Sequence, residues 1–270
     1  MSTHHESIGV APNHQILDQA SSVSVLGVGI TNPSREDAIA AIENWITARD
    51  AVSRSLYLVN AHTLNLAYED TSYRRVLNAA TAVFGDGTGV RWGARSRGVR
   101  MRANLVGTDL LPDLFAATAG RGYRYFLLGG SESAIERAAR YAEARFPGWQ
   151  LVGHHHGYVW GDSARVTARI NDARPHLLLV GMGNPLQERW IHEHLPELRV
   201  PLSVGVGGLF DHWAGNLKRA PLWVRHLGIE WLQILLQQPH KWRRYLIGNW
   251  LFLARLWRTF EGPAAQPTSR

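Results

Sequence analysis

The side chains with the most capacity for chemistry are polar residues that directly follow short apolar runs. Asp86 is the centre of GDGTG (Gly85–Gly89), which comes straight after Ala82-Val83-Phe84. Asn60 and His62 follow LYLV (Leu56–Val59), Gln187 and Glu188 follow PHLLLVGMG (Pro175–Gly183), and Asp211 follows the run through Ser203–Val206. A carboxylate held there is a fixed acceptor, and it can take the proton of an attacking hydroxyl in a group transfer. The same residue types also cap helices and fix turns, so each has a structural alternative. Asp86 would cap the helix opened by GVRWGARSRG, and His62 or Thr63 would start the helix carrying Leu64, Leu66 and Ala67. Glu188 would be a favourable first-turn acid behind Pro185.

What makes the set interesting is where the elements must put it. In open α/β folds ligands sit outside the carboxyl ends of the strands, where glycine lets the backbone turn tightly and approach a ligand. SVSVLGVGI from Ser22 reads as one β-rich run ended by Thr31-Asn32-Pro33, and Ser34 with Asp37 reads as a capping box before a helix with Ala38, Ile42, Trp45 and Ile46 on one stripe. YRYFLLGG (Tyr123–Gly130) enters a glycine turn before a helix that Ser131 caps, a weak candidate for anion binding. The apolar run of PHLLLVGMG suits an interior parallel strand covered on both faces. Repeated strand-to-polar-turn steps place Asn60, Asp86, Gln187 and Asp211 at one end of one sheet. The expected fold is α/β, a Rossmann-like, mostly parallel sheet with helices on both faces and a helical carboxyl-terminal appendage that associates with a membrane. The expected division is a flexible arm over 1–22, a catalytic domain over 23–221, an amphipathic appendage over 222–260 and a flexible tail over 261–270.

Composition narrows the chemistry. With 270 residues, 45% of them hydrophobic, the chain can bury a substantial core. It has 0 Cys, which excludes thiolate catalysis, disulfides and cysteine-held metal. The amino terminus, with His4 and His5, lacks the apolar core of a secretory signal. His154, His155 and His156 invite a metal reading, but successive side chains on a strand point to opposite faces, and HExxH is absent. No metal or cofactor is expected. A formal charge of +7 points to an anionic partner without naming it.

The position of the bases is more informative. After Lys218-Arg219-Ala220-Pro221 the sequence becomes rich in Trp, Leu and Arg. Trp231, Arg243, Arg244, Trp250, Arg255 and Trp257 are candidates for contact with an anionic membrane surface, because a basic, aromatic-rich helix suits that interface. The uncharged stretch Tyr245–Ala254 is shorter than the roughly 20 residues a spanning helix needs. The alternative is a core or oligomer helix whose arginines stay wet. A nucleic-acid-binding protein would show a stripe of bases with stacking aromatics instead. A nucleotide-dependent oxidoreductase would show a dinucleotide fingerprint, which is missing.

Taken in order, GDGTG, GTDLLP, YFLLGG, the FPG–HHGY region, VGMGNPLQERWI, VGVGGLFDHWAGNLKRAP and the GIEWL–P–RRY ending resemble the WecG/TagA/CpsF family of glycosyltransferases, over about Val25 to Tyr245. The resemblance implies an inverting transfer from a UDP-sugar donor to a polyprenyl-diphosphate-linked saccharide, by a peripheral enzyme on the cytoplasmic face of the membrane; a homo-oligomer is left open. It makes Asp86 the general base and places Asn60, His62, Gln187 and Asp211 in the cleft, with Glu188 beside them. Arg219 is a candidate for charge stabilisation of the departing diphosphate, a part that a bound cation would otherwise play. Two positions depart from one branch, Asn60 replacing threonine and Asn104 replacing arginine. VNAHTLN and Asn104 resemble the exopolysaccharide branch, so glucose is the leading donor sugar and N-acetylmannosamine the runner-up.

Overall fold

The computed structural model describes residues 21–221, 223–224 and 230–259. The expected tail, His4, His5 and almost all of the expected arm lie outside them, as do residues 222 and 225–229 of the expected appendage. Eight strands make one sheet: β1 (Ser22–Val25), β2 (Val28–Thr31), β3 (Arg54–Val59), β4 (Ala82–Gly85), β5 (Arg124–Gly129), β6 (Gln150–His155), β7 (Leu177–Gly181) and β8 (Leu202–Gly205). Their order is β1-β2-β4-β3-β8-β7-β5-β6, and every pairing except β1–β2 is parallel. The expected single run SVSVLGVGI is therefore two strands, a hairpin closed at Leu26 (φ 51) and Gly27 (φ 81). Two successive positive φ angles give the turn whose twist matches a hairpin. The alternating sequence on either side hides it.

Period-two alternation splits the strands between two layers. Leu56, Leu58, Tyr125, Leu127, Leu177 and Leu179 pack on one side, against α1 (Arg35–Thr47), α5 (Gly107–Ala117), α6 (Glu132–Arg145) and the short α9 (Leu209–Trp213). Tyr57, Val59, Phe126, Leu128, Leu178 and Val180 pack on the other, against α2 (Ala61–Glu69), α3 (Thr71–Asn78), α4 (Thr88–Arg95), α7 (Ser163–Ala173) and α8 (Leu186–His194). The expected capping box is present: Ser34 Oγ accepts from Asp37 N–H at 3.1 Å, and the Asp37 carboxylate accepts from Ser34 N–H at 3.4 Å.

Neighbouring β5 and β7 send their following helices, α6 and α8, to opposite faces. Divergent connections of this kind leave a crevice above the carboxyl ends of the strands. The end of the chain covers that crevice, through α10 (Glu230–Gln237), a 3₁₀ turn (Pro239–Lys241), a π-helical turn (Arg243–Ile247) and α11 (Gly248–Arg258). Phe252 and Leu256 of α11 are buried in the second layer. Gly93 and Gly89 of α4 let that helix lie close to β1 and α2, since a Cβ would meet Val25 at 2.6 Å and Ala61 at 2.8 Å, whereas Leu256 and Phe252 of α11 stand at ordinary contact distance, 3.5–3.6 Å.

One expected membrane contact moves inward. Arg255 is buried; its Nη1 donates to Asn65 O at 3.1 Å and Asn65 Oδ1 at 3.0 Å, Nη2 pairs with Glu69, and the guanidinium lies over the Tyr68 ring. A buried charge survives only when paired and hydrogen-bonded, and partners on α2 supply both. No helix among the described residues is long and apolar enough to cross a membrane.

Candidate active site

A cavity of about 1330 Å³ lies over the carboxyl ends of the strands, walled by the loops after β3 to β8 below and by residues 230–253 above. Asn60, His62, Asp86, Asn104, Asp211 and Arg219 all line it. Of the four residues that strand-end spacing brings to one end of the sheet, Asn60, Asp86 and Asp211 meet in the cavity, and Gln187 does not line it.

Asp86 sits at the centre. Its N–H donates to Val59 O at 2.8 Å, which extends the β3–β4 pairing by one bond and fixes the start of the loop. Gly87 follows with φ 90, a left-handed backbone that favours glycine, and its N–H donates to Asn104 Oδ1 at 2.8 Å. Gly87 is the N-cap of α4, with no side-chain cap bond, so Asp86 does not cap that helix. Burial is the main cause that pushes its carboxyl up to about 7; Glu230 and Asp109 add to the rise while Arg219 and Arg244 oppose it. A base with proton affinity near the working pH is what a hydroxyl nucleophile needs.

Asn60 does cap: its Oδ1 accepts from His62 N–H at 3.1 Å and Thr63 N–H at 3.2 Å. The imidazole of His62 is held neutral, its proton affinity lowered to about 4 by burial and then by Arg244 and Lys241. His212, which the sequence reading passed over, also lines the cavity. Its Nδ1 lies 3.1 Å from the Leu217 carbonyl, an acceptor only, so Nδ1 carries the hydrogen of the neutral ring.

Gln187 and Glu188 do not line the cavity. Both are fully buried beneath its floor. Gln187 Oε1 accepts from Gly207 N–H at 3.0 Å, in the loop that leads to Asp211. Glu188 accepts from Asn184 at 2.6 Å, Gln187 at 2.7 Å and the Tyr73 hydroxyl at 2.9 Å. The pair ties the loops after β7 and β8 together and so shapes the floor. Spacing placed them in the first turn of α8 correctly, but could not say which way they point.

The cations divide in a way the sequence did not suggest. Arg219 Nη2 donates to both oxygens of Asp109, at 3.1 and 3.0 Å, and its Nε lies 3.3 Å from Glu230 Oε1. Arg244 and Lys241 line the cavity with no ion pair among the described residues. Of the residues expected on a membrane, Arg244 and Trp231 face the cavity instead, with Trp231 stacked on Tyr245 at 6.5 Å between centroids. Trp250 is 75% exposed at the cavity margin, Trp257 is 81% exposed, and Arg243 is exposed beside Trp242. Among the described residues no group of three or more His, Asp or Glu is arranged to hold a metal ion.

Residues 23–265 match the glycosyl transferase WecG/TagA/CpsF family. The chain belongs to that family. It is 31% identical over 188 residues to the N-acetylglucosaminyldiphosphoundecaprenol N-acetyl-β-D-mannosaminyltransferase of Bacillus subtilis (strain 168), covering 70% of this chain and 73% of that protein. It is 29% identical over 224 residues to the protein of the same name from Staphylococcus aureus (strain MW2), covering 83% of this chain and 87% of the relative. A third such relative, from Staphylococcus aureus (strain NCTC 8325 / PS 47), is 29% identical over 212 residues, 78% of this chain and 83% of its own length.

These relatives overturn the expected exopolysaccharide branch: within the family the chain lies nearer the mannosaminyltransferases. The geometry shows why Asn60 and Asn104 misled. Both bind backbone N–H groups, Asn60 at the start of α2 and Asn104 at Gly87, so each has a local structural role besides lining the cavity.

Proposed function

We propose that this family member transfers N-acetylmannosamine from UDP to a polyprenyl-diphosphate-linked saccharide during assembly of a bacterial cell-surface glycan. The observation that carries the reading is Asp86, a carboxyl with its proton affinity raised to about 7, standing over the strand ends in a cavity bordered by cations. The relatives' acetamido sugar and polyprenyl acceptor make this the favoured substrate pair over glucose.

The chemistry is a single displacement. Asp86 takes the proton of the acceptor hydroxyl as that oxygen bonds to the anomeric carbon. The bond from that carbon to the donor diphosphate breaks, and the electron pair leaves with UDP. Attack opposite the leaving group inverts the anomeric centre. Arg244 and Lys241 are the cations available for the departing diphosphate, because Arg219 is already shared by two carboxylates. His62, its proton affinity lowered to about 4, is a weaker base than Asp86. Leu236, Ile247, Trp250 and Trp257 expose apolar surface beside Arg243, which suits peripheral attachment to the cytoplasmic face of an anionic membrane.

A crossed panel tests the reading: UDP-N-acetylmannosamine, UDP-glucose and related donors against monosaccharyl-diphosphate-lipid acceptors, with product mass and anomeric configuration measured together. Transfer of N-acetylmannosamine with an inverted anomeric centre is expected, with activity kept in chelator. Exclusive use of glucose overturns the donor assignment. A retained configuration overturns the single displacement. Loss in chelator with recovery on adding a divalent ion overturns diphosphate stabilisation by side chains alone.

A further inference from the structure

The cavity is divided by charge. Asp86, Arg219, Lys241 and Arg244 line it from the chain after β4 and β8, whereas the lining residues that follow β5, β6 and β7 carry no charge. Three loops meet in this neutral half. Gly157 N–H donates to Gly130 O at 2.9 Å, and a Cβ at Gly157 would lie 3.1 Å from Gly129 Cα and 3.3 Å from Met182 Cγ. Tyr158 and Trp160 follow directly, both exposed and both lining the cavity. A floor of glycine backbone beside aromatic rings suits a flat, uncharged ring, and stacking alone would accept any such ring.

Asn184, in the loop between β7 and α8, is the side-chain amide of this half, and its heading is fixed from below. Gln187 Oε1 accepts from Gly207 N–H, so the Gln187 NH₂ is the group that meets Glu188 Oε1 at 2.7 Å. Asn184 Nδ2 donates to that same oxygen at 2.6 Å, and the Tyr73 hydroxyl donates to the other at 2.9 Å. Three donors on one carboxylate favour its ionised form, which has no hydrogen to return. The NH₂ of Asn184 is therefore committed to the floor. Its Oδ1 is the end left for the cavity, and no described residue donates to it. What the neutral half offers from this side chain is an acceptor.

We propose that Asn184 sets the nucleobase specificity of the sugar donor: its Oδ1 accepts from the imide N–H of a uracil ring seated among the loops after β5, β6 and β7, with the diphosphate reaching towards Lys241 and Arg244. The inference rests on the nucleotide-sugar transfer proposed above and goes beyond it by naming the residue that selects the base. Uracil carries a hydrogen on N3, where cytosine has a lone pair. Cytosine would set that lone pair against Oδ1, and both acceptors would lose water without gaining a hydrogen bond. A site of this kind rejects the wrong base by unmet polarity, which an aromatic surface alone cannot do.

The test is binding of UDP, CDP and 2′-deoxy-UDP to the full chain, by calorimetry, in wild type, Asn184→Leu and Asn184→Ser. Leucine keeps the volume of asparagine and removes the acceptor; serine keeps the test available if the leucine variant does not fold. Wild type is expected to favour UDP over CDP by roughly 10–100-fold, and each variant to lower that ratio about tenfold while the UDP to 2′-deoxy-UDP ratio stays unchanged. A role in holding the floor alone would weaken UDP and CDP equally, and that result overturns the proposal. A collapse of the 2′-deoxy ratio instead assigns Oδ1 to the ribose and overturns the base assignment. If wild type does not bind UDP, the nucleotide-sugar reading falls and this inference with it. If it binds UDP and the UDP to CDP ratio does not move in the variants, this inference fails alone.

Discussion

The two walls of the cavity are built by different means. The lower wall hangs from parallel strands; β3, β4, β7 and β8 are buried throughout, and Asp86, Asn60 and Asp211 stand one to six residues past a strand end. The upper wall has no such support. α10 and the π-helical turn bury no residue, and the roof is anchored through Phe252, Arg255 and Leu256 of α11. Yet the upper wall brings Glu230, Lys241 and Arg244. Nucleophile activation is assigned to the rigid half, and much of the charge around it to the half that is held at a few points. Low-stability elements of this sort are where binding and closure motions are drawn from.

The sharpest way to separate the halves is to disable the rigid one. Asp86→Asn should lower single-turnover transfer by about 10²–10⁴-fold, the usual worth of a general base, with the fold intact. The same substitution should stabilise the protein at high pH. The folded-state proton affinity lies above the unfolded one, about 7 against 3.8, so the ionised group costs stability; that cost sets in as pH rises from about 4 and is complete above 7. A gain of about 1–3 kcal/mol at pH 8, shrinking towards pH 4, is the expected result of thermal unfolding at the two pH values. Equal transfer rates, or no pH-dependent gain, would return Asp86 to a turn residue.

Loosening the other half comes next. Arg255→Ala removes two hydrogen bonds to Asn65 and the pair with Glu69, and should destabilise the docked roof by about 2–3 kcal/mol. Hydrogen exchange should rise over 243–258 and stay unchanged in β3, β7 and β8, while transfer drops roughly tenfold or more. Uniform exchange across sheet and roof would mean the two halves unfold as one.

The smallest effect is expected where the roof meets solvent. Trp257 is 81% exposed and outside the cavity, so Trp257→Ser should weaken co-sedimentation with anionic vesicles by roughly tenfold and leave transfer to a water-soluble acceptor unchanged. Unchanged partitioning would assign this face to contact with another protein surface.

The difference between the walls also explains what the sequence made legible. Strand ends, glycine turns and the capping box at Ser34 are local signals, and in the lower wall they placed Asn60, Asp86 and Asp211 at the strand ends. Arg255, Arg244 and Trp231 carry no local sign of their fate. Their partners Asn65 and Glu69, or the cavity itself, are contributed by chain about 190 residues away in the case of Arg255, and helical periodicity treats any arginine as a wet face. Asp109 and Glu230 were missed for the same reason, since only folding brings them to Arg219. Gln187 and Glu188 were found at the right turn with the wrong heading, because Gln187 donates to Glu188 while Gly207, Asn184 and Tyr73 satisfy their other polar groups, so both can be buried.

Gly89 and Gly93 give α4 a mechanical character. The helix begins two residues after Asp86, and its two glycines face Ala61 and Val25 closely, with Phe252 and Leu256 of the roof at van der Waals distance from the same positions. A Cβ at either position would collide with Ala61 or Val25, so α4 is seated tightly on α2 and β1 at those two points. α4 is therefore a fixed strut of about two helical turns that links this seat to the peptide carrying the proposed base.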